Sequence, residues 1–248
     1  MRKKNVEIIS LIYKSVDYLD FIVDQLQGES CKVPGWDVGI RIVANDANER
    51  VIERLRSMDI SFSLYNDPNP DDFYLNRVYR AWNFAGISSE YDNLCFVNSD
   101  MAFSPNWLDN LLKHHDGENI PCSRLIESGK MTSGMYGLSK DCGKTPSQFN
   151  SSRFQSFCNT VSENTTKEGG LFMPCVFEKD KFIESGMYPE GNIFLENGKL
   201  ICGYPNDRRV YMSGDKFYFH MLNRKYGMNH LTVFDSLVYH IQEGEMDE

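Results

Sequence analysis

The stretch Cys95-Phe-Val-Asn-Ser-Asp-Met-Ala-Phe-Ser-Pro-Asn-Trp-Leu108 decides how the rest of this sequence is interpreted. The apolar run over 94–97 predicts a buried β-strand, and Asn98-Ser-Asp100 follows it as a polar tip. Ser104-Pro105 then begins an amphipathic segment that predicts a helix. A carboxylate at the carboxyl end of a buried strand lies where α/β proteins place their ligands. Asp100 is therefore the first candidate for a functional residue.

The segments before this stretch alternate between predicted strands and predicted helices. Apolar runs and helical spacing give, in order, strand 6–13, helix 16–26, strand 38–44, helix 48–58, strand 60–65 and helix 75–87. Such alternation indicates an α/β protein with a central, mostly parallel sheet flanked by helices. No Gly-x-Gly-x-x-Gly follows the first strand and no P-loop pattern occurs, which argues against the usual dinucleotide and P-loop sites.

The pattern changes after about residue 121. Residues 127–170 are dense in Ser, Gly, Asn and Thr, and they predict a long loop on the acceptor side of the site. Beyond this loop the sequence predicts strand 171–177, helix 179–184, helix 215–226 and short strands at 231–234 and 237–239. The sequence shows no internal repeat and no independent second domain, so we expect a single domain over residues 1–248.

The overall composition narrows the classes of function. Of the 248 residues, 41% are hydrophobic and 25% are charged, and the net charge is -9. An acidic surface argues against nucleic acid as a partner, because such binding relies on Lys and Arg at the phosphates. The seven cysteines lack a Cys-x-x-Cys pair, so we expect reduced, buried thiols in a cytoplasmic protein. The apolar run near residue 6 is too short for a signal-peptide core, and we expect no transmembrane segment.

Polar residues follow two of the predicted strands. Asp46 comes after the second strand, where it can hold a uracil or thymine imino group or a ribose hydroxyl, or else cap the helix that begins near Asn48. Asn98 and Asp100 point the same way in an extended segment, so both can face one divalent cation with oxygen ligands. The alternative for Asp100 is a polar turn that caps the next helix.

Four further side chains are candidates for the same site. Arg77, on the helix before the Asp100 strand, can reach a phosphate or a base, or can lie on a solvated helix face. Asp215 follows Ser213-Gly214 at a helix start, where the dipole stabilises its carboxylate as a general base or where it serves only as a first-turn acid. Glu190 is the rival base. His240 ends an apolar run and can supply a nitrogen ligand to a metal or merely a hydrogen bond.

The order of these features resembles the GT-A glycosyltransferases, especially the inverting family 2 enzymes. The match starts with the strand Val6 to Tyr13 and the strand-end acid in Val43-Ala-Asn-Asp46. It continues with Arg77-Val-Tyr-Arg-Ala-Trp-Asn83 and with the Asp-x-Asp-like Asn98-Ser-Asp100 before Pro105. Gly214-Asp215 matches the Glu-Asp motif of a late helix, and His240 matches a carboxyl-terminal metal ligand of some members. Asn98 and Gly214 stand where the family motifs carry acids.

The resemblance implies a GT-A fold with a nucleotide-binding half at 1–120 and an acceptor-binding half at 121–248. It implies transfer of a sugar, with inversion, from a UDP-, GDP- or dTDP-sugar to a hydroxyl of a glycan, glycolipid or protein. Mn²⁺ or Mg²⁺ would be the cofactor. The implied metal ligands are Asp100, His240 and Asn98, the implied donor contacts are Asp46, Arg77, Asn83 and Asp100, and the implied base is Asp215. To these we add Tyr13 and Ser99 as expected donor contacts and Glu190 as the rival base.

Two other functions stay open on the sequence alone. A nucleotidyltransferase can share the strand–helix layout and the metal, although Tyr13-Lys-Ser-Val-Asp17 is not the Gly-rich basic loop it should carry. A non-catalytic module that binds a nucleotide-sugar or a glycan would accommodate Asn98 and Gly214 in place of acids. For an enzyme of this kind we expect a cytoplasmic location, with a membrane-bound acceptor allowed.

Overall fold

The computed structural model describes residues 4–129, 134–203 and 209–242, and the described residues contain twelve strands and seven helices. In chain order these are β1 (Asn5–Ile12), α1 (Val16–Leu26), β2 (Asp37–Asn45), α2 (Glu49–Arg56), β3 (Ser61–Tyr65), α3 (Tyr74–Ser88), β4 (Asn93–Val97), β5 (Met101–Phe103), α4 (Trp107–Leu112), β6 (Asn119–Glu127), β7 (Leu138–Ser139), α5 (Ser151–Val161), β8 (Thr166–Glu168), β9 (Cys175–Glu178), α6 (Lys179–Glu184), β10 (Asn192–Glu196), β11 (Lys199–Gly203), α7 (Gly214–Tyr226) and β12 (Asn229–His240).

Ten of these strands form one sheet, whose central order is β3-β2-β1-β4-β9-β6-β12-β5. β1 pairs in parallel with β2 and β4, and β2 pairs in parallel with β3, as the alternating sequence pattern predicted. β9 then runs antiparallel to β4 and β6, while β12 is parallel to β6. The carboxyl end of β12 therefore returns to the same edge of the sheet as the carboxyl ends of β1, β2 and β4. The predicted α/β class is confirmed.

The helices pack on both faces of the sheet, and alternating strand residues separate two hydrophobic cores. In β1, Ile8 belongs to the core under α1, α2, α4 and α5, whereas Ile9 belongs to the core under α3, α6 and α7. Cys95 and Phe96 divide between the two cores in the same way on β4. Burial on both sides explains why these strands are continuous apolar runs. None of the helices among the described residues combines the length and apolar character that crossing a membrane requires.

The prediction of an unstructured loop over 127–170 is wrong for part of that range. Helix α5 begins after Asn150, whose side chain accepts a hydrogen bond from the Arg153 main-chain N–H at 2.9 Å. Phe154 and Cys158, one helical turn apart, are both buried against the core. Phe157 and Val161 of the same helix pack against that core while partly exposed, and the polar residues between these positions conceal the helix in the sequence.

The carboxyl-terminal strands also differ from their predicted form. The two short strands predicted near the end are one strand, β12, with a register shift between Val233 and Leu237. The hairpin of β10 and β11 was not predicted from the sequence. Its turn residues Asn197 and Gly198 both have positive φ, at 50° and 75°. Asn-Gly favours such two-residue turns. The seven cysteine thiols are free, and of these only Cys202 is exposed.

A half-buried histidine makes the fold sensitive to acid. The His230 ring packs against Phe172 and Phe219, and its Nε2 lies 3.0 Å from the Leu171 carbonyl oxygen. Burial lowers the pKa of His230 from 6.5 to about 4, against a smaller upward effect of the Leu171 carbonyl. The unfolded chain therefore binds this proton first, so the contribution to stability is present above pH 6.5 and is lost as the pH falls toward 4.

We expect His230→Gln to remove this part of the pH dependence. Glutamine keeps a donor for the Leu171 carbonyl but does not titrate, so the loss of unfolding free energy between pH 7 and pH 5 should shrink by about 2 kcal/mol. Urea unfolding at the two pH values measures the effect, with His114→Gln, in the turn after α4, as the control. Equal pH dependence in wild type and His230→Gln would contradict the prediction.

Candidate functional site

The carboxyl ends of β1, β2, β4 and β12 surround a cavity of about 490 Å³, and α3 forms its remaining wall. Its position follows from the topology, since parallel strands end at one edge and leave a crevice there. Four of these five elements, all except β2, carry or directly precede lining residues that the sequence predicted. The lining residues are Leu11, Ile12, Tyr13, Asn45, Tyr74, Arg77, Val78, Trp82, Asn98, Ser99, Asp100, His240 and Gln242.

Asp100 and His240 meet on one wall of this cavity. The antiparallel pairing of β5 with β12 sets Met101 opposite His240, which brings the residue before Met101 beside the strand end. Asp100 Oδ2 lies 3.1 Å from His240 Nε2 and accepts a hydrogen bond from the Gln242 main-chain N–H at 3.3 Å. Asp100 is buried, with 6% of its surface exposed. The predicted proximity of Asp100 and His240 is present in the structure.

A second carboxylate holds the other side of the His240 ring. Glu127, at the end of β6, is opposite His240 in the parallel register, and its Oε1 lies 3.3 Å from Nδ1. Burial lowers the pKa of His240, but the charges and hydrogen bonds of Asp100 and then Glu127 outweigh it and raise the pKa to about 10. His240 is therefore an imidazolium between two buried carboxylates at neutral pH.

The Asp100–His240 pair fits a divalent cation. Two adjacent ligands of an octahedral ion with bonds near 2.1 Å lie about 3 Å apart, and the two atoms here are 3.1 Å apart. Asn98 lines the same cavity two residues before Asp100. Across the described residues, no group of three or more His, Cys, Asp and Glu side chains is arranged to hold a metal. A cation at this pair therefore needs further oxygen atoms from a bound ligand, and it must displace the His240 proton.

Asp46 does not cap the helix that follows it. The cap of α2 is Asn48, whose Oδ1 accepts a hydrogen bond from the Val51 main-chain N–H at 3.0 Å. Asp46 instead adopts a left-handed backbone conformation with φ of 49° directly after β2. This conformation costs a non-glycine residue about 1–3 kcal/mol, which the contacts of the residue have to offset. The capping alternative for Asp46 is excluded, and its contacts give it another role.

Those contacts fix Arg77 at the cavity. Asp46 Oδ2 lies 3.0 Å from Arg77 Nη1, and both side chains are largely buried. The guanidinium also lies over the Tyr13 ring, with 5.5 Å between its central carbon and the ring centroid. Burial lowers the pKa of Arg77, but contacts with Tyr13 and Asp46 raise it on balance. Arg77 is a fixed cation on the cavity wall and does not lie on a solvated helix face.

Ser99 and Asn83 have different surroundings. Ser99 lines the cavity between the two residues predicted to face the metal. The Asn83 amide forms two hydrogen bonds with the main chain of Tyr188, donating to its carbonyl at 2.8 Å and accepting from its N–H at 3.0 Å. Asn83 is not among the lining residues. It fastens α3 to the segment after α6.

Asp215 and Glu190, the two candidate bases, lie outside the cavity lining. Asp215 is in the first turn of α7, where its main-chain N–H donates to the Tyr79 hydroxyl at 3.0 Å. Tyr79 follows Val78 of the cavity wall, so α7 begins close behind α3. Glu190 is 62% exposed, and its Oε2 lies 3.6 Å from Arg80 Nη1.

Several lining residues were not predicted from the sequence. Tyr74 and Trp82 lie on α3, and neither apolar periodicity nor charge distinguishes them from core residues. Asn45 is the last residue of β2, and 6% of its surface is exposed. A polar residue at the end of an apolar run is a sequence signal that could have identified Asn45 as a lining residue. Glu127, which contacts His240 but does not line the cavity, carried the same signal, an acid directly after the apolar Leu125-Ile126.

Comparison with known proteins supports the fold. The structure of GalNAc-T7 with UDP, GalNAc and Mn²⁺ superposes with a TM-score of 0.58 at 12% identity, covering 96% of this chain and 44% of that one. The mannosyltransferase PcManGT from Pyrobaculum calidifontis, in complex with GDP-Man and Mn²⁺, superposes with a TM-score of 0.56 at 10% identity, covering 96% and 58%. The chain thus spans about half the length of these proteins. No family model and no curated protein matches the sequence.

Both of these proteins are GT-A glycosyltransferases, and nearly the whole of this chain superposes on each. The central sheet with helices on both faces agrees with that architecture. The chain has the GT-A fold of glycosyltransferases.

Proposed function

We propose that this protein transfers a sugar from a nucleoside-diphosphate sugar to a hydroxyl group, with a divalent cation and with inversion at the anomeric carbon. One observation carries the proposal. A carboxylate and an imidazole that fit a cation share a cavity with Arg77 and Tyr13, which suit a phosphate and a base. The cavity also lies at the strand ends where this architecture takes ligands.

Each group in the cavity has a distinct part in donor binding. Asp100 and His240 would hold Mn²⁺ or Mg²⁺, with Asn98 beside them, and the cation would neutralise the charge that develops on the diphosphate leaving group. Tyr13 offers an aromatic face for the base. Arg77, whose charge is fixed by Asp46, offers a cation for a phosphate.

The acceptor hydroxyl needs a base, and we assign this role to Asp215. Glu190 is the alternative. Asp215 begins a helix whose dipole stabilises its carboxylate, and it lies directly behind the α3 wall. Glu190 is partly neutralised by its ion pair with Arg80. This difference in pairing favours Asp215. Inversion follows from a single displacement in which the base removes the proton as the hydroxyl attacks.

The identity of the donor can be found with a screen of UDP-, GDP- and dTDP-sugars, each with Mn²⁺, Mg²⁺ or EDTA. Metal-dependent release of the nucleoside diphosphate, in the presence of glycan or glycolipid acceptors, supports the proposal. Binding without turnover would indicate a binding module, and turnover only with sugar phosphates and nucleoside triphosphates would indicate a nucleotidyltransferase. The cytoplasmic location and the possible membrane-bound acceptor stay predictions.

We expect Glu127→Ala to weaken the metal site without removing a ligand. Glu127 accepts the Nδ1–H of His240 and so directs Nε2 toward Asp100. Loss of such a supporting carboxylate lowers metal affinity roughly 10- to 100-fold. Titration of Mn²⁺ by electron paramagnetic resonance, at saturating donor nucleotide, measures the change.

Two variants control this measurement. Glu127→Gln keeps an acceptor oxygen for Nδ1–H and should retain most of the affinity. Glu168→Gln removes an exposed carboxylate from β8 of the same sheet and should leave Mn²⁺ binding unchanged. Wild-type Mn²⁺ affinity in Glu127→Ala would show that His240 needs no such support.

A further inference from the structure

The loop between β3 and α3 contributes Asp67 to a largely buried ion pair with Arg80 of α3, and neither residue lines the cavity. The Asp67 side chain has 0% exposure. It accepts two hydrogen bonds from Arg80, from Nε to Oδ2 and from Nη2 to Oδ1, each at 2.8 Å. It also accepts the Asn69 main-chain N–H at 2.8 Å and the Tyr65 hydroxyl at 3.3 Å. Such a bidentate geometry is specific to arginine, because a lysine ammonium cannot present two parallel N–H donors.

This ion pair is connected to the donor cavity through one main-chain hydrogen bond. The Asp67 N–H donates to Asp46 Oδ1 at 2.8 Å, while Asp46 Oδ2 holds Arg77 at 3.0 Å. Both oxygens of Asp46 are thus engaged by the chain. Arg77 and Arg80 are three residues apart on α3 and lie on neighbouring positions of the helix surface. Each guanidinium is fixed by its own aspartate, and the two aspartates are fixed to each other.

The conformation of Asp46 depends on this arrangement. Its left-handed φ of 49° is less favourable than an ordinary backbone conformation, although aspartate tolerates it better than most residues, so the contacts of its carboxylate help to hold it. The Asp67 N–H and Arg77 are the two contacts that hold its carboxylate. If Asp67 moved, Asp46 would lose one of them, and Arg77 would lose its fixed place over Tyr13.

We propose that Arg80 and Asp67 are positioning residues of the donor site, which place Arg77 for the nucleoside diphosphate by fixing Asp46. The inference rests on the proposed function, because it concerns the ligand of that cavity. Arg80 and Asp67 touch no atom of the donor in this assignment. Arg80 also holds Asp72 at 2.9 Å, which anchors the far end of the same loop.

Calorimetric titration of the intact protein with UDP, GDP and dTDP, in Mn²⁺, tests the inference on whichever nucleotide wild type binds. Arg80→Lys should lower the affinity for that nucleotide roughly 10- to 100-fold, the loss expected when a charge-assisted hydrogen bond no longer forms. Asp67→Asn keeps the shape of the side chain and should act in the same direction. Arg54→Lys alters an exposed pair with Asp20, at 2.8 Å, and should leave affinity unchanged.

The decisive comparison repeats Arg80→Lys in an Arg77→Ala background. A positioning role predicts that Arg80→Lys has little further effect there, because the group it positions is gone. An equal loss of affinity in both backgrounds, or wild-type affinity in folded Arg80→Lys and Asp67→Asn, would overturn the inference while leaving the proposed function intact. If wild type binds none of the three nucleotides, the proposed function fails, and the inference fails with it.

Discussion

Asp215→Asn should lower kcat for sugar transfer by roughly 10²- to 10⁴-fold, the usual contribution of a general base. Asparagine has nearly the shape of aspartate but cannot take the proton from the acceptor hydroxyl. Its place on α7 and the hydrogen bond from its main-chain N–H to Tyr79 should survive the change, because that bond does not involve the side chain. Steady-state transfer at saturating donor and acceptor measures the effect.

Donor affinity serves as the internal control for this variant. Asp215 lies outside the cavity lining, so nucleotide binding should stay at the wild-type value. Glu190→Gln makes the same change in charge at the rival base and should reduce kcat far less, since Glu190 is exposed and paired with Arg80. Near wild-type kcat in Asp215→Asn, with a large loss in Glu190→Gln, would transfer the role of base to Glu190.

Asp100→Asn should remove most of the metal-dependent activity. A metal-bound leaving group contributes several kcal/mol, so kcat/KM should fall by at least about 100-fold. The substitution also removes the carboxylate that lies 3.1 Å from His240 Nε2, so the cation loses its charged protein ligand. Transfer rates measured across a Mn²⁺ titration should rise steeply for wild type and hardly at all for the variant.

The matched control for Asp100→Asn is Asp109→Asn. Asp109 lies on α4 in an exposed ion pair with Lys113 at 2.8 Å, away from the cavity. It should keep the wild-type response to Mn²⁺. A Mn²⁺ response in Asp100→Asn equal to that of wild type would show that the cation is not held at this strand end.

The sequence predicted the parallel part of the sheet well because its central strands are buried on both faces. Continuous apolar runs are a local signal that β1, β4 and the second half of β2 carry, whereas β3 lies at the edge of the sheet and is only partly buried. Strand-end polarity pointed to Asp100, and a place on the helix before that strand pointed to Arg77; both residues line one cavity. These inferences needed only the chain order and the rule that parallel strands end at one edge.

Other features depend on contacts that sequence spacing does not encode. Met101–Phe103 is a three-residue strand whose pairing with β12 brings Asp100 to His240 across more than half of the chain. The Asn83 amide binds the main chain 105 residues away, so its place on α3 alone could not reveal that role. Asp46 lies shortly before a helix, where a capping residue is expected. The capping residue is instead Asn48, because Asn48 directly precedes the first residue of the helix.

Calorimetric binding of UDP-, GDP- and dTDP-sugars to the wild-type protein, with Mn²⁺ and again with EDTA, tests whether a cation at Asp100 holds the donor. At least one of these donors should bind with Mn²⁺, EDTA should weaken its binding strongly, and Asp100→Asn should remove the difference. No binding of any donor with Mn²⁺, or binding that is indifferent to both EDTA and Asp100→Asn, would refute the proposed donor site.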